Sequence, residues 1–223
     1  MSEPDLDPHP DAAGFVLAGG RSSRMGEDKA LVRLGGRPLV VHALDILRGA
    51  SLTASLAGGS ATVAEFAPLV QDSQHGFGPL AGICAALVST TAHLAVFMPV
   101  DLPLLPASLI ANLLEHARRT GSPVTVPAIN GFAQTFPAVL DRRLLTELEA
   151  ELRAGRRGCY SAFQAAAANL GRSVTAVPVE ALVQSGQVAH PASLPAARWF
   201  LNVNSPDALR LADEFCLHPH RVS

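Results

Sequence analysis

Cysteine is scarce: there are three, at positions 84, 159 and 216, far apart and odd in number, with no CxxC pair. That spacing excludes a zinc ribbon or a dithiol redox centre and fits reduced thiols in a cytosolic protein. Positive charge is not in excess, with 17 Lys plus Arg against 19 Asp plus Glu for a net of -2. The broad basic field that a polynucleotide requires is missing, so no nucleic-acid partner is expected. Every apolar run is broken by charge, Pro or Gly well short of the about 18 residues that span a bilayer, so no membrane partner is expected either. The opening stretch MSEPDLDPHPDAAG is acidic and proline-containing, without the basic and apolar regions of a secretory signal. Residues 1–13 are read as a loose tail and the location as cytoplasmic. The eight histidines show no HxxxH or HxxE grouping and the serines no GxSxG setting, which argues against a histidine-held metal and against a hydrolase triad.

What is present is apolar and regularly punctuated. At 48% apolar the chain has ample material for a core, and one domain over 14–215 is expected, with a frayed tail at 216–223. Short apolar runs alternate with longer helical patterns: FVLA at 15–18, LVVHALDIL at 39–47, LTASLA at 52–57, LAVFMP at 94–99 and LIANLLEHA at 109–117. That alternation is the signature of βα units around a mainly parallel sheet. Beyond it we expect strands at 123–128, 136–140 and 199–203, a charged helix at 142–154, and a surface loop over the Pro/Ala/Ser stretch at 185–198.

Immediately after FVLA comes GGRSSRMGEDKAL, in which Gly19, Gly20 and Gly26 allow a ligand to approach the backbone while Arg21, Arg24 and Lys29 add positive charge. Such a loop suits a polyphosphate. The GxxxxGK[ST] and GxGxxG spacings are both absent, which takes support from a kinase or a dehydrogenase. A plain strand-to-helix turn with solvated basic residues is the competing structural reading.

Three further segments carry chemistry. In HLAVFMPVDLPLLP, Asp101 falls just beyond an apolar strand, where α/β sheets bind ligands. It can anchor magnesium, which takes one or two carboxylates plus phosphate oxygens, or it can cap the following helix. In LVQDSQHGFGPLAGICAAL, Asp72 is read as ending a short strand, and GPLAG opens a helix whose free amides suit an anion or a base edge. Gly78, Pro79 and Gly82 can equally serve close packing of helix on sheet. In WFLNVNSPDAL, Asn202 and Asn204 are two apart on the expected strand and so share a face, while Asn204 can also be a turn residue.

The stretch LAGGRSSRMGEDKALVRLGGRPLV resembles the LAGGxSxRMGxDKxLLxxxGxPL signature of the molybdenum cofactor guanylyltransferases and their sugar-nucleotidyltransferase-like relatives. The resemblance covers about residues 14–215. It implies a Rossmann-like three-layer α/β/α nucleotidyltransferase fold with a mainly parallel mixed sheet. It assigns nucleotide contacts to Leu17, Ala18, Gly19, Gly20, Lys29, Asp72, Gly78, Pro79, Leu80 and Asp101, charge neutralisation to Arg24 and Lys29, and catalysis to Arg24, Lys29 and Asp101. Mg2+ would be held by Asp101 with Asn204. WFLNVNSPDAL resembles the family's F-x-N-x-NTP-x-x-L phrase, with Ser205 where Thr is commoner. GFAQTFPAVL followed by GRRG resembles the QP-x-x-ALY region and its G-x-R-R turn. Acceptor contacts are thereby implied for Gln134, Asn202 and Asn204, and also for Arg156 or Arg157.

The implied reaction is transfer of GMP from GTP to the phosphate of the molybdopterin cofactor with loss of pyrophosphate. Transient contacts with cofactor-biosynthesis or molybdoenzyme partners come with it. LAGG rather than LAAG in the first loop resembles the guanylyl-transferring branch, making Gly19 the expected discriminator against CTP. Two departures stand out: Gln-Thr-Phe-Pro replaces Gln-Pro, and SLAGGSATV at 55–63 lacks the Asn that many relatives place after the second strand. The alternatives are a relative using CTP or a sugar-phosphate acceptor, or a nucleotide-binding regulator without turnover.

Overall fold

A computed structural model describes residues 11–19, 28–71, 78–156 and 158–217. Its strands are β1 (Ala12–Leu17), β2 (Arg33–Leu34), β3 (Arg37–Pro38), β4 (Ala54–Ala57), β5 (Leu69–Val70), β6 (Leu94–Pro99), β7 (Val124–Ile129), β8 (Phe132–Ala133), β9 (Ala138–Asp141) and β10 (Val174–Pro178). The helices are α1 (Leu39–Gly49), α2 (Pro79–Ser89), α3 (Ala107–Thr120), α4 (Leu145–Arg153), α5 (Cys159–Asn169), α6 (Val179–Gln184), α7 (Ala196–Trp199) and α8 (Pro206–Leu217), with 3-10 turns at Lys29–Leu31, Ala61–Glu65 and Arg142–Leu144.

The main sheet runs in the order β10-β7-β9-β6-β1-β4-β5, with β8 added to β7, while β2 and β3 form a separate hairpin. β1 pairs in parallel with both β4 and β6, and β4 with β5. β9 runs against β6 and β7, whereas β10 is parallel to β7. The sheet is therefore mixed but mainly parallel. The connection order reverses at β1, between β4 and β6, which opens a crevice beyond the carboxyl ends of these strands.

Side chains alternate across the sheet with the strand period of two, so each strand feeds two cores. On one side Val16, Leu56, Val96 and Met98 meet the apolar stripes of α1 (Leu39, Val40, Ala43, Leu44, Leu47) and α3 (Leu109, Ile110, Leu113, Leu114, Ala117), together with Trp199 and Phe215. On the other side Phe15, Leu17, Ala57 and Phe97 meet α2, α4 and α5 through Leu80, Ile83, Leu87, Leu148 and Phe163. Phe15 and Phe97 stack across β1 and β6 with ring centroids 5.5 Å apart. This is the expected three-layer arrangement.

Two expectations are corrected. WFLNV at 199–203 is not a strand: α7 ends at Trp199 and 201–204 carry no ladder. Trp199 is 1% exposed and donates from Nε1 to the Leu194 carbonyl at 2.8 Å, so the apolar run serves to plug a core rather than to pair. The stretch read as a surface loop at 185–198 buries Val188 and Leu194. At the edges, β1 begins at Ala12 and α8 runs to Leu217. Asp11 receives two bonds from the Arg118 guanidinium, at 3.0 and 2.6 Å, which ties the start of β1 to α3.

Candidate active site

The crevice is built from five pieces of chain. β1 delivers Leu17, Ala18 and Gly19 to its carboxyl end, with the Ala18 amide bonded to the Ala57 carbonyl of β4 at 3.3 Å. The Leu17 side chain lies in one core and Ala18 in the other, each 5% exposed, so these residues can offer a ligand only backbone. Gly19 is exposed and packs against Gly58 and Gly59, the turn that follows β4. Gly59 has φ +116, and a Cβ there would lie 3.0 Å from Val63 Cγ2 and 3.2 Å from Ala18 Cβ. Only glycine satisfies both the backbone and the space.

Lys29 is positioned by a capped turn. The Asp28 carboxylate accepts from the Ala30 amide at 3.1 Å, closing the 3-10 turn, and from Ser60 Oγ at 2.7 Å. From that turn Lys29 Nζ reaches Asp101 Oδ2 at 2.6 Å, with the two side chains 20% and 17% exposed. The other oxygen, Asp101 Oδ1, is buried and has no hydrogen-bond partner among the described residues. A buried carboxylate oxygen left without a donor is costly, and a hard cation is one species that would satisfy it. No group of three or more His, Cys, Asp or Glu gathers among the described residues. Asp101 Oδ1 is the described carboxylate oxygen placed to meet a cation at this point.

The last two pieces flank this pair. Gly78, with φ +78, precedes Pro79, which opens α2, and the start of the helix has no side-chain cap. Leu80 is fully buried, so any contact it makes with a ligand is through its amide. Against Asp101 lies the segment after α7: the Val203 amide donates to the Asp101 carbonyl at 2.9 Å. Val203 is buried while Asn202 and Asn204 on either side of it are exposed. A tight bond from the Asn204 amide to the Asn202 carbonyl at 3.0 Å replaces the expected strand. Ser205 Oγ accepts from the Ala208 amide at 3.2 Å and so starts α8.

Gln134 stands at the same edge but farther along it. Its amide donates to the Pro127 carbonyl at 2.8 Å and its Nε2 to the Phe132 carbonyl at 3.0 Å. β7 and β6 are separated by β9, so the two carboxyl ends are roughly 10 Å apart at ordinary strand spacing. Arg156 lies beyond the end of α4 and pairs with Glu151 on that helix. Gly20, Arg21, Arg24, Gly26, Asp72 and Arg157 lie outside the described residues. Sequence reading overlooked Asp28 and Ser60. Asp28 was detectable, since Asp before a short helical turn is a habitual cap; Ser60 had no local signal.

Burial pushes the Cys159 thiol, in α5, up to about 11. The arrangement brings a glycine turn, a lysine and a carboxylate together at the carboxyl ends of the strands.

The comparisons agree with that chemistry. Residues 14–172 match the model of the MobA-like NTP transferase domain. A molybdenum cofactor guanylyltransferase of Rhizobium johnstonii is 34% identical over 212 residues, covering 91% of this chain and 92% of that protein. One from Vibrio cholerae is 34% identical over 69% of this chain and 77% of its own. The crystal structure of molybdopterin-guanine dinucleotide biosynthesis protein A from Archaeoglobus fulgidus superposes with a TM-score of 0.73 at 24% identity, covering 92% and 98% of the two chains. With more than half of its length matched by the family model, and with a relative this similar end to end, the chain belongs to the MobA-like NTP transferase family.

Proposed function

We propose that this protein transfers GMP from GTP to the phosphate of the molybdenum-molybdopterin cofactor, releasing pyrophosphate and forming the guanine dinucleotide. The observation that carries the reading is the Lys29–Asp101 pair at the carboxyl ends of the strands, with one oxygen of Asp101 buried and unpartnered. The curated relatives named as molybdenum cofactor guanylyltransferases support the choice of donor and acceptor.

An oxygen of the acceptor phosphate attacks the α-phosphorus of the triphosphate, and the bond from that phosphorus to the bridging oxygen of the β-phosphate breaks. The acceptor oxygen is already ionised at neutral pH, so no side chain has to remove a proton. The protein's task is positioning and charge stabilisation. Backbone groups of Leu17, Ala18, Gly19 and Gly20, with the start of α2 at Gly78, Pro79 and Leu80, hold the nucleotide. Lys29 and Arg24 neutralise the departing pyrophosphate. Asp101 would hold Mg2+ with help from Asn204, and Asp72 would assist on the nucleotide side. The ion, when bound, supplies positive charge to the phosphate oxygens. Gln134, Asn202 and Asn204 receive the acceptor across the span of β9. This reading places the protein in the cytoplasm, with small-molecule substrates, no nucleic acid and no membrane, and with transient contacts to cofactor-biosynthesis or molybdoenzyme partners. No helix among the described residues is long and apolar enough to cross a bilayer.

The test is incubation of the protein and molybdopterin with GTP, CTP or ATP, with pyrophosphate release and product identity as readouts. We expect GTP to be preferred by at least about tenfold in kcat/KM, because buried backbone groups that read one base edge are left unpaired by another. A CTP-derived dinucleotide as the main product would overturn the base assignment.

A further inference from the structure

We propose that Ser60 is a positioning residue for the phosphate-binding lysine, acting through Asp28. This rests on the triphosphate reading above and extends it to a residue outside the recognisable loop. The contacts form an unbroken chain: Ser60 Oγ donates to Asp28 Oδ2 at 2.7 Å, Asp28 Oδ1 accepts the Ala30 amide at 3.1 Å, and Lys29 between them reaches Asp101 at 2.6 Å.

Each link has a mechanical reason. A lysine carries four rotatable bonds and loses considerable freedom when its ammonium is fixed at one point. Fixing the backbone from which it springs reduces that cost. Asp28 closes the turn with one oxygen and is itself braced by Ser60 with the other, so both oxygens of the carboxylate are used. Ser60 in turn sits on a sterically constrained piece of backbone. It follows Gly59, whose φ of +116 and whose close approach to Ala18 and Val63 leave no room for a side chain. The Gly58 amide also donates to the Val70 carbonyl of β5 at 3.0 Å. The brace thus ties the lysine's turn to the sheet. It also gives Gly58-Gly59-Ser60 a role: the stretch supports the phosphate side of the crevice.

The experiment measures binding by calorimetry without acceptor, using GTP, inorganic tripolyphosphate and guanosine as probes, for the parent, Ser60→Ala, Ser60→Thr, Lys29→Ala and the Ser60→Ala/Lys29→Ala double variant. Ser60→Ala should weaken GTP and tripolyphosphate by about fivefold, the size of one hydrogen bond to a charged group on a partly exposed turn. Guanosine affinity should be unchanged, and Ser60→Thr should restore the parent values. In the Lys29→Ala background the further loss from Ser60→Ala should vanish, since two residues acting through one contact are not additive. Steady-state rates, where dinucleotide forms, should show the Ser60→Ala effect in KM for GTP more than in kcat. Additive losses, an equal loss for guanosine, or no loss at all would overturn the proposal. Tight tripolyphosphate binding with the expected cycle but no dinucleotide would leave the brace standing and remove the transferase reading; a parent that binds neither phosphate probe would overturn both.

Discussion

The Val203 amide donates to the carbonyl of Asp101 at 2.9 Å, joining two segments a hundred residues apart at the one carboxylate on which the crevice turns. Because the bond is made by backbone, it fixes Asp101 from behind and leaves its side chain to Lys29 on one oxygen. The anchor of this arrangement is Trp199, buried four residues upstream.

Trp199→Ala should therefore do two things. It should lower stability by about 3–5 kcal/mol, the usual cost of emptying a large aromatic site, and it should reduce transferase activity at temperatures where the fold persists, by releasing Val203. Denaturant titration and pyrophosphate release measure the two separately. Trp199→Phe, which keeps most of the volume and loses the bond to Leu194, should cost only about 1 kcal/mol beyond the packing change. Full activity in folded Trp199→Ala would show that the segment does not depend on this anchor.

Asp101→Asn should fold, since an amide oxygen can still meet Lys29, yet lose at least about a hundredfold in turnover. Saturating magnesium should not restore it. Turnover within about threefold of the parent would remove Asp101 from the centre of the chemistry.

Lys29→Ala should weaken GTP more than guanosine, because the Coulomb attraction acts on the phosphates alone. Calorimetry with both ligands decides it, and equal losses would place the ammonium elsewhere in the complex.

Gly19 and Gly59 should respond differently to the same added methyl group. At Gly19 a Cβ lies 3.5 Å from its nearest neighbour, the Gly59 amide nitrogen, an ordinary contact, so Gly19→Ala should change stability by no more than about 0.5 kcal/mol. Its effect should be on the ratio of kcat/KM for GTP over CTP. At Gly59 the positive φ and the contact 3.0 Å from Val63 should cost about 1–3 kcal/mol. Equal destabilisation of the two variants, read from their melting curves, would contradict the packing described.

His190 predicts a pH dependence of stability. Burial lowers its pKa from the ordinary 6.5, partly offset by a bond to the Leu104 backbone, and its Nδ1 faces the Ala192 amide at 3.1 Å. The fold thus prefers the neutral ring. Below 6.5 the unfolded chain takes up a proton that the folded chain resists, so this contribution is present above that value and is lost as pH falls from it through the lowered folded value. The unfolding free energy of the parent should decline across that window, and His190→Gln should flatten that part of the profile. An unchanged slope in the variant would show that other groups carry it.

The first half of the chain was legible because its signals are local. LAVFMP at 94–99 is the strand β6, residue for residue, and LVVHALDIL lies wholly within α1, each with its apolar residues at the period its element demands. The later elements were less so. α5, β10 and α6 escaped notice because AFQAAAANL and VTAVP are short and weakly patterned, and they are fixed by contacts with α4 and β7 rather than by their own periodicity. WFLNV misled for the opposite reason, since its pattern suits a strand but tertiary packing claims Trp199 and Val203 for the core. In the crevice, Asp101 and Lys29 were readable from their settings, and the structure pairs them. Ser60 was not, because the carboxylate it braces is 32 residues away in sequence.

The reversed direction of β9 has a consequence for how this architecture diversifies. A strand that runs against its neighbours reaches the ligand edge at its start, so the chain enters β9 from the crevice through the short stretch 134–137 and leaves at the opposite rim. The stretch joining β8 to β9, which carries Gln134, therefore lies at the crevice edge, whereas Gly58, Gly59 and Asp101 lie in turns that follow parallel strands. On the proposed function, insertions or exchanges within that stretch would alter what is received without disturbing the contact of Lys29 with Asp101. One nucleotide-handling frame can in this way be inherited intact while its second substrate is revised.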